Sequence, residues 1–131
     1  MTYAEKLLAT KEDYRLFDWV WKSEPDDEDD DVGFMAQYNV ENCMRVQVIF
    51  DALIDGLINL GENAPEPEKV KLFETNILAL NALNDEFESC FIETTEREDL
   101  CELIDIVTEA AGLDPSDYAD GDGLSDVWRD W

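Results

Sequence analysis

The sequence contains no histidine. That absence removes the side chain most often used as a general base, the Ser-His-Asp and Cys-His arrangements of nucleophilic catalysis, and every zinc site that relies on imidazole. Cysteine is scarce. Cys43, Cys90 and Cys101 are odd in number and form no CxxC pair, which fits a reduced compartment and argues against a disulfide framework. The six glycines are scattered and none precedes Lys-Ser or Lys-Thr, so no phosphate-cradling loop is encoded. No stretch approaches the ~20 apolar residues of a membrane span. The opening residues Met1-Thr2-Tyr3-Ala4-Glu5-Lys6 lack the basic region and apolar run of a signal peptide, so a cytoplasmic location is expected.

Positive charge is the scarcest resource of all. Nine Lys and Arg stand against 34 Asp and Glu, a formal net charge of −25. Such a chain is soluble and repels its own compact state. It also repels nucleic acid and anionic membrane, leaving basic proteins as the natural partners. A salty cytoplasm would select the same composition with no partner at all, because net charge informs about solubility and association and not about fold.

What is present is helical pattern. The 131 residues suit a single domain, residues 1–131, able to bury a core without staples. Thr2-Tyr3-Ala4-Glu5 reads as a capping box, and Thr10-Lys11-Glu12-Asp13 as the start of a second helical piece carrying Tyr14, Phe17 and Trp21 on one face and ending near Lys22. An acidic loop follows at 23–33. It holds seven acids in the eight residues from Glu24 to Asp31, where self-repulsion and the lack of anything to bury favour solvation.

From Cys43, the residues Val46, Ile49, Phe50, Leu53, Ile54, Leu57 and Leu60 recur at three- and four-residue steps, and Gly61 closes that helix. Pro67 suits a first helical position. Beyond it Val70, Phe73, Ile77, Leu80, Phe87 and Phe91 form a stripe predicted to end near Glu93. Thr95-Glu96-Arg97-Glu98 reads as a third capping box, for a helix that Gly112 terminates. An irregular tail from 113 ends in a short turn with Ser125 as its expected cap. No segment alternates with period two. The expectation is an all-α fold, an irregular bundle of about four to five amphipathic helices.

Chemistry-bearing constellations are few. Among 34 acids some carboxylate pairing arises by chance, so it carries little information, and no enzyme is expected. The cysteines lie on or beside apolar stripes, as inert buried thiols do. Asp120-Gly121-Asp122-Gly123-Leu124-Ser125-Asp126 resembles the middle of a calcium loop of the EF-hand or thrombospondin type 3 kind. Tyr118 stands where the opening ligand belongs and Arg129 where the closing bidentate carboxylate belongs. Asp120, Asp122 and Asp126 are therefore weak calcium candidates, and neither a metal nor a cofactor is expected.

The most informative pattern is geometric. At 100° per residue, Glu98, Glu102, Asp105 and Glu109 fall within about 60° of one another on the helix that ends at Gly112. Leu100, Leu103, Ile104 and Val107 take the opposite side. A column of four acids without a cation costs a few tenths of a kcal/mol per i,i+4 pair in an isolated helix. Stability alone would favour a lysine there, although a merely solvated face accounts for such runs too. Trp21 is expected in the core, with Trp19 pointing elsewhere. Trp128 and Trp131, three apart, share a face and suit either core packing or an interface anchor.

These features favour binding over catalysis. The candidate partner-binding residues are Glu98, Glu102, Asp105 and Glu109, supported by Asp26, Asp27, Glu28, Asp29, Asp30 and Asp31. In size, charge and lack of catalytic residues, likenesses spread over the whole chain and not carried by a motif, the sequence resembles the small acidic immunity proteins that protect bacteria from toxins. That resemblance implies a cytoplasmic inhibitor of one basic, nuclease-type toxin. A DNA mimic is the alternative on the same physics. A globule of this length is about 36 Å across, and duplex DNA carries about 21 charges over that span. A third reading keeps the acidity incidental and gives the work to an apolar or Trp patch of a helical adaptor or oligomerisation module.

Overall fold

The protein is described here from a computed structural model, which describes residues 2–14, 19, 38–89 and 91–131. It is all-α, with five helices and no strand among the described residues. The helices are α1 (Tyr3–Ala9), α2 (Val40–Leu60), α3 (Glu66–Glu86), α4 (Thr94–Ala110) and α5 (Ser125–Trp128), with 3₁₀ turns at Thr10–Asp13, Pro115–Asp117 and Ala119–Gly121. The acidic run from Glu24 to Asp31 and the Phe17 and Trp21 positions lie outside the described residues.

Helices α2 and α3 are the central pair. They run antiparallel, because Arg45 near the start of α2 pairs with Glu86 at the end of α3, whereas Gly56 near the end of α2 faces Leu72 near the start of α3. Gly56 has a packing reason to interrupt a helix. A β-carbon there would stand 3.2 Å from Leu72 Cδ1. At the N-terminus of α2 the Asn39 side chain accepts from the Asn42 N–H at 2.9 Å. Gly61, at φ 89°, turns the chain out of the helix. Helix α3 starts one residue before Pro67, at Glu66, with Pro65 as its N-cap.

The core collects the expected faces: Val46, Phe50, Ile54 and Leu57 of α2, Phe73, Ile77 and Leu80 of α3, Leu100, Ile104 and Val107 of α4, and Leu7 of α1. Burying each such side chain is worth roughly 1.5–3 kcal/mol. An aromatic group, Trp19, Tyr38, Phe87 and Phe91, extends it with neighbouring ring centroids 5.1–6.1 Å apart. Trp19 is 2% exposed, so it is a core residue and not the outward-pointing one that helical phasing implied. Leu60, assigned to the buried stripe of α2, is exposed.

Other helix boundaries also differ from the pattern-based ones. Thr10 does not open a second helix. Its hydroxyl donates back to the Leu7 carbonyl at 2.6 Å, and the 3₁₀ turn stops at Tyr14, which is extended. Helix α3 ends at Glu86, not near Glu93, because Glu88 and Ser89 take left-handed backbone (φ 55° and 64°). That reversal is held by Asn84, whose side-chain oxygen accepts from the N–H groups of Phe91 at 3.1 Å and Ile92 at 2.7 Å. Helix α4 consequently starts at Thr94 after Glu93, and the expected cap Thr95 lies inside its first turn. Glu96 fills the reciprocal capping role by accepting from the Glu93 N–H at 3.3 Å.

A buried cation closes the far end. Lys69 of α3 is 4% exposed, and its ammonium donates to the carbonyls of Glu62 and Ala111, both at 2.8 Å, while lying 4.9 Å from the centre of the Tyr3 ring. A cation at the C-terminal carbonyls of α4 opposes the negative end of that helix's dipole. The same contact ties together α1, α3, α4 and the α2–α3 connection.

Candidate acidic binding surface

The acidic column rides on α4, whose apolar side is sealed in the core. Glu98, Glu102 and Glu109 are exposed. Asp105 is not in line with them as a solvent-facing group. It is half-buried, and its Oδ1 is inaccessible and without a hydrogen-bond partner. The cause is the C-terminal tail, which crosses α4 at this level. A β-carbon on Gly123 would stand 2.5 Å from Asp105 Oδ1, so only a glycine, here at φ 93°, fits over the carboxylate. Burial first, and the neighbouring Glu109 charge second, push the Asp105 carboxyl above the usual aspartate range. The column is therefore exposed at its two ends and roofed at its third step.

The tail is irregular but docked. Gly112, at φ 84°, ends α4, and the Leu113 N–H donates to the Thr108 carbonyl at 3.1 Å. Asp114 accepts from the Ser116 N–H at 3.0 Å and from its hydroxyl at 2.7 Å, and these bonds hold its carboxyl below the ordinary value. The Tyr118 carbonyl accepts from the N–H groups of Gly121 and Gly123, curling the chain so that Leu124 enters the core. Ser125 is buried and its hydroxyl lies 3.5 Å from Cys101 Sγ; Leu124, not Ser125, precedes the closing turn as its cap. Asn81 of α3 donates to the Trp128 carbonyl at 2.9 Å and accepts from the Asp130 N–H at 3.1 Å. Trp128 and Trp131 pack against the core from this segment.

Asp120 and Asp122 stay exposed beside Gly123, adding acid next to α4. Asp126 instead pairs with Arg129 at 2.9 Å. The three candidate calcium ligands are thus divided between solvent and an ion pair. Among the described residues no three histidine, cysteine or carboxylate side chains are grouped to hold a metal ion.

Several of the described cations are committed elsewhere. Lys11 pairs with Asp51 at 3.3 Å, Arg45 with Glu86, Arg129 with Asp126, and Lys69 is buried. Among the described residues neither Glu98 nor Glu109 forms an ion pair. Lys6 lines a shallow depression with Glu109 and Asp13 but bridges to neither. The supporting group Asp26, Asp27, Glu28, Asp29, Asp30 and Asp31 lies outside the described residues.

Sequence reasoning missed the burial of the Glu96 carboxylate, which is 1% exposed and reads in the sequence only as part of a capping box. The Tyr38 hydroxyl lies 2.7 Å from Glu96 Oε1 and 2.8 Å from the Phe91 carbonyl, two acceptors for one proton. Burial, followed by the Glu96 hydrogen bond, raises the Tyr38 phenol far above its normal range. Burial, with Glu96 second, pushes the Cys43 thiol up to about 11, so this cysteine is a packed, unreactive group. On the next turn of α4, Asp99 accepts from Trp19 Nε1 at 3.0 Å. Two acids of the α4 N-terminal half therefore serve the fold. No local sequence signal marks them, since their partners lie 58 and 80 residues away.

Comparison with protein-family models, curated proteins and solved structures finds no match to this chain.

Proposed function

We propose that this protein is an acidic binding protein that inhibits a basic partner, an immunity protein neutralising a nuclease-type toxin. The observation that carries the reading is the division of labour on α4. Asp99, Glu96 and half-buried Asp105 are consumed by the fold, whereas Glu98, Glu102 and Glu109 face solvent and are joined there by Asp120 and Asp122 of the docked tail. The fold holds these groups on a backbone fixed by core packing, so a basic surface meets them with little ordering cost. Long-range attraction by a −25 chain accelerates encounter with such a surface, up to ~10⁸–10⁹ M⁻¹s⁻¹ at low ionic strength. An inhibitor of this kind acts by occupying the groove in which the enzyme would hold nucleic acid, and it needs no catalytic residue.

The test is stoichiometric inhibition. A panel of basic bacterial nuclease toxin domains is titrated with the protein while cleavage of a nucleic-acid substrate is followed. Inhibition of one member at equimolar protein is expected. Association should slow steeply between ~0.15 M salt, where the screening length is about 8 Å, and ~1 M, where it is about 3 Å. The triple variant Glu98→Lys, Glu102→Lys, Glu109→Lys should associate much more slowly with unchanged helicity. Unchanged inhibition by the triple variant would remove α4 from the function. Salt-independent association would remove the electrostatic mechanism.

A further inference from the structure

The side of the α2–α3 pair turned away from the core that α4 closes is a groove of different character. Its walls carry Val48, 63% exposed, together with Ile49, Ala52, Thr75 and Ala79. Met44 and Val40 continue the exposed apolar row one and two turns earlier on α2, at 48% and 50% exposure. Three large exposed apolar side chains in one i,i+4 row are more than scattered surface hydrophobics. The chain is otherwise heavily anionic, yet the lining of this groove holds one cation and one anion, Arg45 and Glu86, which pair with each other at its rim.

One more group belongs to the groove. Asn76 lines it, is 3% exposed, and has no hydrogen-bond partner for either its side-chain nitrogen or its side-chain oxygen. A buried amide left unpaired costs about 1–3 kcal/mol for each unmet group, so such groups are rare without a reason.

We propose that this groove is the interface of a homodimer and that its occupant is the same face of a second copy. Each polar feature of the face is its own complement. An amide offers a donor and an acceptor, so Asn76, where the two-fold pairing opens it to the groove, meets its own complement in the second copy, as a single polar residue does in a helical interface. Arg45 and Glu86 give the rim one charge of each sign, so the same operation sets each opposite its counterpart. Ala52, Thr75 and Ala79 are small enough for close approach of the helices. This face is also where two strongly anionic copies can meet without placing like charges in contact. The acidic side of α4 stays free, so the dimer does not depend on the inhibitory role.

Salt separates the two associations in sign. Screening the mutual repulsion of two −25 chains strengthens a dimer made through an apolar face, whereas it weakens capture of a basic protein. Sedimentation equilibrium of the full chain alone, across the micromolar to millimolar range at low and high salt, is expected to show monomer and dimer, with the dissociation constant falling several-fold as salt rises. Val48→Glu, at an exposed position where folding is unaffected, should be monomeric throughout with the same helical circular dichroism. Arg45→Glu should weaken the dimer, and the exchange Arg45→Glu with Glu86→Arg should restore it. A wild-type chain that stays monomeric at millimolar concentration in both salts overturns the proposal. So does a dimer that Val48→Glu leaves intact.

Discussion

Asp105 and Gly123 are in direct apposition: the tail glycine sits on the half-buried carboxylate, with no room between them for a β-carbon. This contact decides how the acidic side of α4 meets solvent, and it makes the tail part of the domain.

Gly123→Ala should destabilise the fold. The residue combines a left-handed backbone (φ 93°) with a β-carbon placed 2.5 Å from Asp105 Oδ1. The backbone part alone costs roughly 1–2 kcal/mol, and displacing the tail adds to it. Chemical denaturation of Gly123→Ala, Asp105→Ala and the double variant resolves the two parts. The loss in the Asp105→Ala background should be smaller than in the wild type, because the clash is gone while the backbone cost stays. Equal losses in both backgrounds would show that the apposition carries no energy.

Asp105 also predicts a pH dependence. Its folded-state pKa is raised above the unfolded value by burial and by Glu109, so the folded chain binds this proton more tightly than the unfolded chain does. Stability from this group is present below the ordinary aspartate pKa of ~3.9 and is lost as pH rises through the higher folded value. Asp105→Asn should therefore be more stable than wild type at neutral pH, with the advantage shrinking as the solution is acidified into the carboxylate range. Urea midpoints of the two proteins from neutral to mildly acidic pH provide the measurement, and an advantage that grows on acidification would contradict it.

The buried cap of the α3–α4 connection gives a third test. Asn84→Ala removes the acceptor for two backbone N–H groups, those of Phe91 and Ile92. Leaving them unpaired should cost on the order of 2–6 kcal/mol, at about 1–3 kcal/mol for each buried donor. Amide hydrogen exchange should quicken locally at Phe91 and Ile92. A variant as stable as wild type would mean that the reversal after α3 is held by packing alone.

Tyr38→Phe tests the buried hydroxyl between Glu96 and the Phe91 carbonyl. The ring contacts with Trp19 and Phe91 are kept, but Glu96 loses a donor in an environment from which water is excluded. A loss of about 1–3 kcal/mol is expected. Glu96→Gln in the Tyr38→Phe background should recover part of it by removing the buried charge. Failure to recover would assign the loss to the Phe91 carbonyl.

Global repulsion yields a prediction without any substitution. With 34 acids and nine bases the folded chain is opposed by its own field, so added sodium chloride should raise the thermal midpoint. A midpoint that falls with salt would mean that the ion pairs Lys11–Asp51 and Arg129–Asp126 outweigh the repulsion.

Much of the helical architecture was written locally. The three- and four-residue spacing of Val46, Phe50, Leu53, Ile54 and Leu57, the stop at Gly61, and the Leu100–Val107 side of α4 follow from helical geometry and the burial of apolar surface, which need only neighbours in sequence. The angular grouping of Glu98, Glu102, Asp105 and Glu109 is local in the same way. Boundaries were less legible where a distant or side-chain contact overrode propensity. Asn84 reaches seven and eight residues forward to stop the chain after α3, and Thr10 spends its hydroxyl on Leu7 in place of a cap.

What the residues alone determined is the helical class, the large negative charge and which side of each long helix is apolar, because periodicity and composition are properties of the chain itself. Tertiary structure decided which acids remain available to solvent. Glu96 and Asp99 are claimed by Tyr38 and Trp19, and Asp105 by the passage of Gly123, through contacts spanning 18 to 80 residues that no local pattern encodes. Among the described residues it also left Val48 exposed and both polar side-chain atoms of buried Asn76 without a hydrogen-bond partner, since a helix pair can turn only one side toward its own core.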